Sequence, residues 1–77
     1  EQIILLLIRL TKSHGKDLQD GYFKITTQFT NKDLANMIGS SRETVSRTLT
    51  QLKKSGLVET KNNYMVVNRT KLQDELF

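Results

Sequence analysis

The sequence predicts an α+β domain that is mainly helical and carries a small antiparallel β-hairpin. Three observations favour this fold class: an apolar run at residues 3–10, two helix-period segments that meet at Gly39 within residues 30–56, and two short β-type segments within residues 57–68. The 77 residues suffice for one core, and because the chain contains no cysteine, neither a disulfide nor a cysteine-based zinc site supports it. The lack of cysteine is compatible with a reducing cytoplasm.

Residues 3–10 are the most apolar stretch of the chain, and we interpret them as a buried helix. They are far shorter than the roughly 20 residues of a membrane-spanning helix, and they have no features of a signal peptide. Apolar side chains surround most of this predicted helix, so we expect it to cover a surface outside these 77 residues as well. The start at Glu1, without an initiator methionine, also indicates the C-terminal piece of a longer protein.

Residues 11–21 are polar, interrupted by glycine and aperiodic, so they are predicted to form a loop. This stretch carries the only histidine, His14, which has no second histidine to complete a metal site. The alternation in residues 22–27, with Phe23 and Ile25 on one face, predicts a short half-buried strand that leads into the next helix.

Residues 30–56 are predicted to form two helices, each with capping residues at its start. Thr30 can cap the first helix, with Asp33 three positions later. Ser40 or Ser41 can cap the second, and the spacing of Ser40 and Glu43 fits a capping box. That box would give Glu43 a purely structural role.

Two glycines are predicted to end these helices. Gly39 stands where a left-handed turn residue is needed, and Gly56 follows two lysines that suit the negative end of the helix dipole. Two short helices across a tight turn with glycine are typical of the helix-turn-helix motif, in which the second helix enters the DNA major groove. The second helix has a stripe at i, i+4, i+7 spacing that should be core, with Thr48 beside it: Val45, Leu49 and Leu52.

The opposite side of the second helix forms a polar arc of roughly 140° that must face solvent or a ligand. Its members are Arg42, Glu43, Ser46, Arg47, Thr50, Lys53 and Lys54. The chain has a net charge of +4, and much of the excess lies in residues 30–56, as a phosphate-facing surface needs. Arginine bonds guanine through O6 and N7, glutamate accepts from the cytosine amino group, and serine does either. The candidates for base reading are Arg42, Glu43, Ser46 and Arg47.

Residues 57–60 and 64–67 flank Lys61-Asn62-Asn63, and because asparagine tolerates positive φ, they are predicted to form a hairpin. A hairpin directly after a recognition helix, here within residues 57–68, is the wing of a winged helix-turn-helix. Its polar tip faces either a phosphate or solvent. The tail, residues 70–77, is predicted to be a short packing helix capped by Thr70, with apolar residues at helical spacing: Leu72, Leu76 and Phe77.

The chain resembles the C-terminal winged-helix domain of the Crp/Fnr transcription regulators. The matching residues are Asp33-Leu34-Ala35, Ile38-Gly39, Ser41 through Arg47, Leu49, Leu52 and Gly56-Leu57, and the resemblance extends from the first residues to about Asn68. It implies that Arg42, Glu43 and Arg47 read a half-site close to TGTGA, as in the Crp branch. Glu43, Ser46 and Arg47 also match the Fnr branch, which prefers TTGAT-like sites.

The same resemblance implies phosphate contacts by Thr30, Asn31, Lys32, Ser41, Thr44 and the wing residues Lys61 and Asn62, and Thr50 of the polar arc joins them. Asn31 and Lys32 differ in type from some members of the family. The implied partner is double-stranded DNA, bound by a homodimer whose dimerisation helix and β-roll effector domain lie upstream, with RNA polymerase as a further candidate. No cofactor is expected in this domain and no membrane contact. The effector, and whether it activates or represses, are not indicated.

Two other classes of function have less support in the sequence. An enzyme is disfavoured because the single histidine has no base partner, and because no glycine-rich phosphate loop or paired carboxylates occur. A winged helix that binds protein or RNA is the stronger competitor, since a fold alone does not fix function. The polar arc carries no apolar or aromatic anchor for a protein, and the aromatic residues are dispersed rather than arranged for base stacking.

Overall fold

A computed structural model describes residues 2–76, and Glu1 and Phe77 lie outside the described residues. The helices are α1 (Gln2–Ser13), α2 (Asn31–Ile38), α3 (Arg42–Lys54) and α4 (Arg69–Asp74). The strands are β1 (Gly15–Gln19), β2 (Tyr22–Ile25), β3 (Val58–Lys61) and β4 (Tyr64–Asn68). They form an antiparallel sheet in the order β1-β2-β4-β3. The predicted winged helix-turn-helix is confirmed, although its sheet is larger than one hairpin.

The core lies between α1, the helix pair α2 and α3, and one face of the sheet. Leu7 of α1, Leu34 of α2 and Val45 of α3 are fully buried. On the sheet, Ile25 and Val67 are fully buried as well. These helices and strands thus contribute their apolar side chains to one shared cluster, which fixes how α3 is oriented relative to the sheet.

The apolar run at residues 3–10 forms a helix as predicted, and most of its side chains are buried within this domain. The side chains that are not buried are Ile4, which is half-buried, Leu5, which has half of its surface exposed, and Arg9. The helix extends past the run to Ser13, and the hydroxyl of buried Thr11 donates to the carbonyl of Ile8. Burial within the domain therefore accounts for most of the apolar side chains of this run, while Leu5 remains exposed.

The prediction of a loop at residues 11–21 is wrong. Its first residues continue α1, and Gly15–Gln19 forms β1, which pairs with β2 through a turn in which Gln19 and Asp20 have φ of 76° and 58°. All five residues of β1 are exposed. An edge strand held only by backbone hydrogen bonds has no buried side to impose an alternating sequence, so it left no periodic signal.

The wing hairpin is confirmed. β3 pairs with β4 through a two-residue turn in which Asn62 and Asn63 have φ of 52° and 68°. Two consecutive positive φ values are the requirement of the type I′ turn, and asparagine meets it at lower cost than most residues. β4 also pairs with β2, so the wing is anchored in the sheet at its base.

The N-cap of the short C-terminal helix α4 lies two residues earlier than predicted. Asn68, not Thr70, is its N-cap, because the Asn68 side chain accepts a 3.1 Å hydrogen bond from the Lys71 backbone N–H. Leu72 is fully buried, as expected, and Leu76 packs against the core from its edge. Within residues 2–76, no helix combines the length and apolar character that crossing a bilayer requires.

Candidate nucleic-acid interface

The start of α2 is fixed by a reciprocal cap, as the sequence predicts. The backbone N–H of Asp33 donates to Thr30 Oγ1 at 3.0 Å, and the backbone N–H of Thr30 donates to Asp33 Oδ2 at 2.9 Å. The Thr30 N–H, and after it the Thr30 hydroxyl, bond the Asp33 carboxylate and hold the pKa of this carboxyl below its usual 3.8. Three candidate phosphate contacts therefore begin a rigid first turn: Thr30, Asn31 and Lys32.

The turn between the two helices depends on Gly39. Its φ of 66° lies in the left-handed region, where a side chain would be strained. The next residue, Ser40, donates its backbone N–H to the carbonyl of Ala35 at 2.9 Å, which closes the end of α2. The chain thus reverses within a few residues and presents the start of α3 to solvent.

The start of α3 differs from the predicted capping box. Ser41, rather than Ser40, is the N-cap, and its hydroxyl accepts from the backbone N–H of Thr44 at 3.1 Å. Three residues after Ser41 stands a threonine, so no acidic side chain is placed to complete a box. Glu43 therefore does not form a capping box with Ser40, and its side chain is exposed.

The buried and exposed sides of α3 agree with the predicted stripe and arc. Val45, Leu49 and Leu52 are buried, and Thr48 is half-buried beside them. All seven members of the polar arc are exposed, including the four candidates for base reading: Arg42, Glu43, Ser46 and Arg47. Among residues 2–76, none of these four forms an ion pair. The charged ends of Arg42, Glu43 and Arg47 and the hydroxyl of Ser46 are therefore exposed to a ligand.

The end of α3 is closed as predicted. Gly56 has a φ of 76°, its N–H donates to the Lys53 carbonyl at 3.1 Å, and the Leu57 N–H donates to the Leu52 carbonyl at 3.0 Å. This pair of hydrogen bonds is the Schellman arrangement, which satisfies carbonyls that the helix leaves unpaired. Because Leu57 is buried, the closure also directs the chain into the wing.

The hydroxyl groups proposed for phosphate contacts differ in whether their proton is free to bond a phosphate oxygen. Ser41 donates to Thr44 Oγ1 at 2.9 Å, and Thr50 donates to the carbonyl of Ser46 at 2.9 Å. A hydroxyl has one proton to donate, and phosphate oxygens only accept. Thr44 accepts a hydrogen bond from Ser41 and keeps its own proton. Of these three hydroxyls, it is therefore the one that can donate to a phosphate oxygen.

The wing places its candidate contacts at an exposed tip. Asn62 and Asn63 occupy the turn, and Lys61 precedes it with 70% of its side chain exposed. Lys61 Nζ lies 3.9 Å from Glu59 Oε2, a solvent-exposed pair that holds neither side chain firmly. Lys61 can therefore exchange this carboxylate for a phosphate.

His14 lies apart from the helix pair's polar arc. Its Nδ1 is 2.8 Å from Ser13 Oγ, and its ring meets Phe29 edge-on at 5.6 Å between centroids. Within the described part of the chain, no three side chains of the metal-ligating types cluster together. The histidine thus contributes to the packing of the segment that leads into α2.

The chain is similar in sequence to one protein family and in structure to several proteins of known structure. The model of the Crp-like helix-turn-helix domain matches residues 1–75. The anaerobic regulatory protein of Bacillus subtilis (strain 168) is 42% identical over 52 residues, which cover 68% of this chain and 21% of that protein.

Solved structures of longer proteins contain the same fold. CprK C200S superposes with a TM-score of 0.80 at 28% identity, over 96% of this chain and 37% of CprK. CooA from Carboxydothermus hydrogenoformans, a CO-dependent transcription factor, superposes with a TM-score of 0.77 at 25% identity, over 95% of this chain and 35% of CooA. The chain therefore spans about a fifth of the curated relative and about a third of these structures.

Proposed function

The chain belongs to the Crp-like helix-turn-helix domain family, and from this premise we propose that it binds double-stranded DNA sequence-specifically as the reading domain of a transcription regulator. The single observation that carries the proposal is the exposed face of α3. Four side chains suited to base edges lie there in its first two turns, exposed and without ion-pair partners among residues 2–76.

The proposed half-site is close to TGTGA. In it Arg42 and Arg47 contact guanines, and Glu43 accepts from a cytosine amino group. The exposure of Glu43, and the capping of α3 by Ser41 in place of Ser40, support this role because the competing structural role is absent. Ser46 is shorter, and its exposed hydroxyl lies one turn from Arg42 on the same face.

The proposed phosphate contacts surround this reading face. Thr30, Asn31 and Lys32 begin α2, Thr44 lies in the first turn of α3, and Lys61 and Asn62 form the wing tip. Ser41 and Thr50 join them only by giving up the hydrogen bonds that they make within the protein. We therefore place Thr44 first among the α3 hydroxyls, with Ser41 orienting it. Such contacts position the helix and carry no sequence information by themselves.

A protein-binding role for α3 has no comparable support. Among residues 2–76, the exposed large hydrophobic side chains are Leu5, Leu18, Tyr22 and Met37, and none of them lies on α3. The proposed complex is a homodimer of the longer protein that places two copies of α3 in successive major grooves, with RNA polymerase as a further partner. Catalysis is not part of the proposal.

A salt-dependent titration tests base reading directly. The chain is titrated with a duplex that contains a TGTGA half-site and with a scrambled duplex, as wild type, Arg47→Ala and Arg47→Lys. We expect Arg47→Ala to lose about 1 to 3 kcal/mol on the half-site and little on the scramble. Arg47→Lys keeps the charge and loses the bidentate hydrogen bonding to guanine. It should therefore retain affinity for the scramble while losing the preference for the half-site.

Two results would contradict this assignment. Equal losses on both duplexes would make Arg47 a phosphate contact and remove the TGTGA assignment. No binding to either duplex at low salt, by a chain whose folding is verified by circular dichroism, would remove the DNA-binding proposal itself.

A further inference from the structure

The segment between β2 and α2 depends on one half-buried side chain for its packing. Residues 26–30 lie outside the helices and strands, and all of them except Phe29 are exposed. Phe29 is half-buried and packs against the core. It stands immediately before Thr30, the N-cap of α2. An apolar side chain at this position helps to set the angle at which the chain enters a helix.

His14, the residue that follows α1, contacts this segment at two places. Its carbonyl accepts from the backbone N–H and from the hydroxyl of Thr26, both at 2.7 Å. Its ring meets the Phe29 ring edge-on, with the centroids 5.6 Å apart and the planes at 87°, a favourable geometry for an aromatic pair. The Phe29 ring therefore contacts both the core and His14. Of these partners, His14 is exposed and can be replaced without disturbing the core.

The hydroxyl of Ser13 orients the imidazole. Ser13 Oγ donates to the carbonyl of Arg9 at 3.2 Å, and it lies 2.8 Å from His14 Nδ1. Because a hydroxyl has one proton, Nδ1 is then the donor in the shorter contact. The imidazole is thus bonded to α1 and packed on Phe29, so it bridges α1 and the chain that enters α2.

We propose that His14 is a positioning residue for DNA binding. This inference rests on the proposed function, because the proposed phosphate contacts of α2 directly follow Phe29: Thr30, Asn31 and Lys32. Hydrogen bonds form over a range of about 2.7 to 3.2 Å, so a small displacement of this turn weakens them. The His14 ring restricts the position of Phe29, and through Phe29 it holds the first turn of α2 where these contacts form.

A role of His14 in fold stability alone has less support. The side chain is exposed, so its removal leaves the buried core intact. The first turn of α2 also has its own reciprocal cap, formed by Thr30 and Asp33. That cap fixes the shape of the turn. The position of the turn relative to the core depends on the packing beside it, which Phe29 provides on the N-terminal side.

The test combines three substitutions. His14→Ala removes the contact with Phe29, His14→Phe keeps an aromatic ring there without the imidazole nitrogens, and Lys32→Gln removes the charged phosphate contact of the turn. Neither alanine nor phenylalanine is charged, so charge does not distinguish the two His14 variants. Each variant, and His14→Ala combined with Lys32→Gln, is titrated with half-site and scrambled duplexes between about 50 and 200 mM salt. Circular dichroism verifies that each one is folded at the temperature of the titration.

We expect His14→Ala to bind both duplexes about five- to tenfold more weakly at the lower salt concentration, because phosphate contacts carry no sequence information. Its salt slope should fall by about 0.9, the value of one phosphate contact, so its deficit should shrink about threefold over the range. His14→Phe should bind as wild type does. In the Lys32→Gln background, His14→Ala should leave the salt slope unchanged, because the charged contact that it weakens is already absent.

The inference is overturned if His14→Ala binds as tightly as wild type, whatever its effect on the melting temperature, or if His14→Phe binds as weakly as His14→Ala. It is also overturned if His14→Ala lowers the salt slope equally with and without Lys32, which would place its effect at another contact. A loss confined to the half-site duplex would overturn it as well, since base reading would then be what changes. Failure of the proposed function looks different, because wild type itself would then bind no duplex at low salt.

Discussion

At the scale of single residues, the hydroxyl groups of the candidate interface differ in whether they already donate a hydrogen bond within the protein. Ser41 and Thr50 both look like phosphate ligands from sequence, because each is a hydroxyl on the exposed side of α3. The structure separates them from Thr44, since their protons are donated to Thr44 Oγ1 and to the Ser46 carbonyl. The sequence gives the type of a side chain, but it does not show which acceptor the hydroxyl group bonds.

This distinction predicts different outcomes for two matched substitutions. Thr44→Val should weaken binding to half-site and scrambled duplexes alike by about 1 kcal/mol or more, because a hydrogen bond to a charged group is lost. Thr50→Val preserves shape and removes only a hydrogen bond within the helix, so its effect on DNA affinity should be small. Fluorescence-anisotropy titrations of both variants at one salt concentration provide the measurement. A larger loss for Thr50→Val than for Thr44→Val would reverse the assignment.

At the scale of elements, sequence predicted those that bury a periodic face and missed the one that does not. α3 was located because Val45, Leu49 and Leu52 must recur at helical spacing to reach the core. β1 was missed because its residues contact solvent on both faces, so no such constraint shaped them. Missing β1 also concealed Lys16, whose position opposite Lys24 depends on a strand pairing that no local pattern reveals.

Element boundaries were predicted less accurately than the elements themselves, for a related reason. Ser40 and Ser41 are equally good caps by type, and so are Asn68 and Thr70. Which of the two candidates becomes the N-cap depends on the backbone path of the preceding segment. For α3 that path is set by the left-handed Gly39, and for α4 by the end of β4. Those are tertiary constraints, and they shift a cap by a residue or two.

The cap of α2 makes the stability of this element depend on pH. Because the Asp33 pKa is lowered in the folded state, the carboxylate stabilises the fold fully above its ordinary pKa of 3.8, and this contribution is lost as pH falls through 3.8 and then through the lower folded value. Thermal unfolding from about pH 6 to about pH 2 should therefore show wild type losing its advantage over Asp33→Asn at the acid end. Thr30→Ala keeps the backbone donor and should retain part of the dependence. An advantage over Asp33→Asn that is constant with pH would contradict the role of this cap.

At the scale of the whole molecule, one small core positions two exposed surfaces. The helix pair presents the side chains that we propose for base reading, and the wing presents Lys61 and Asn62 at its tip. A single domain of this size offers few contacts, and much of its affinity for DNA should be electrostatic and insensitive to sequence. Tight specific binding should therefore require two copies on an inverted repeat, whereas one copy should prefer its half-site only weakly.

Joining two copies through a flexible linker tests this expectation. Two recognition helices lie about 34 to 36 Å apart on DNA, and a glycine-serine linker of about 40 residues has a matching root-mean-square length. Because the second binding event then occurs at an effective concentration near millimolar, the tethered pair should bind an inverted repeat about 10² to 10⁴ times more tightly than a single half-site. The matched control carries Arg47→Ala in one copy only, and it should lose most of the gain on the repeat while binding a single half-site normally through its intact copy. If the tethered pair bound the repeat and the single half-site equally well, the two-copy arrangement would be wrong even though single-domain reading by Arg47 could still hold.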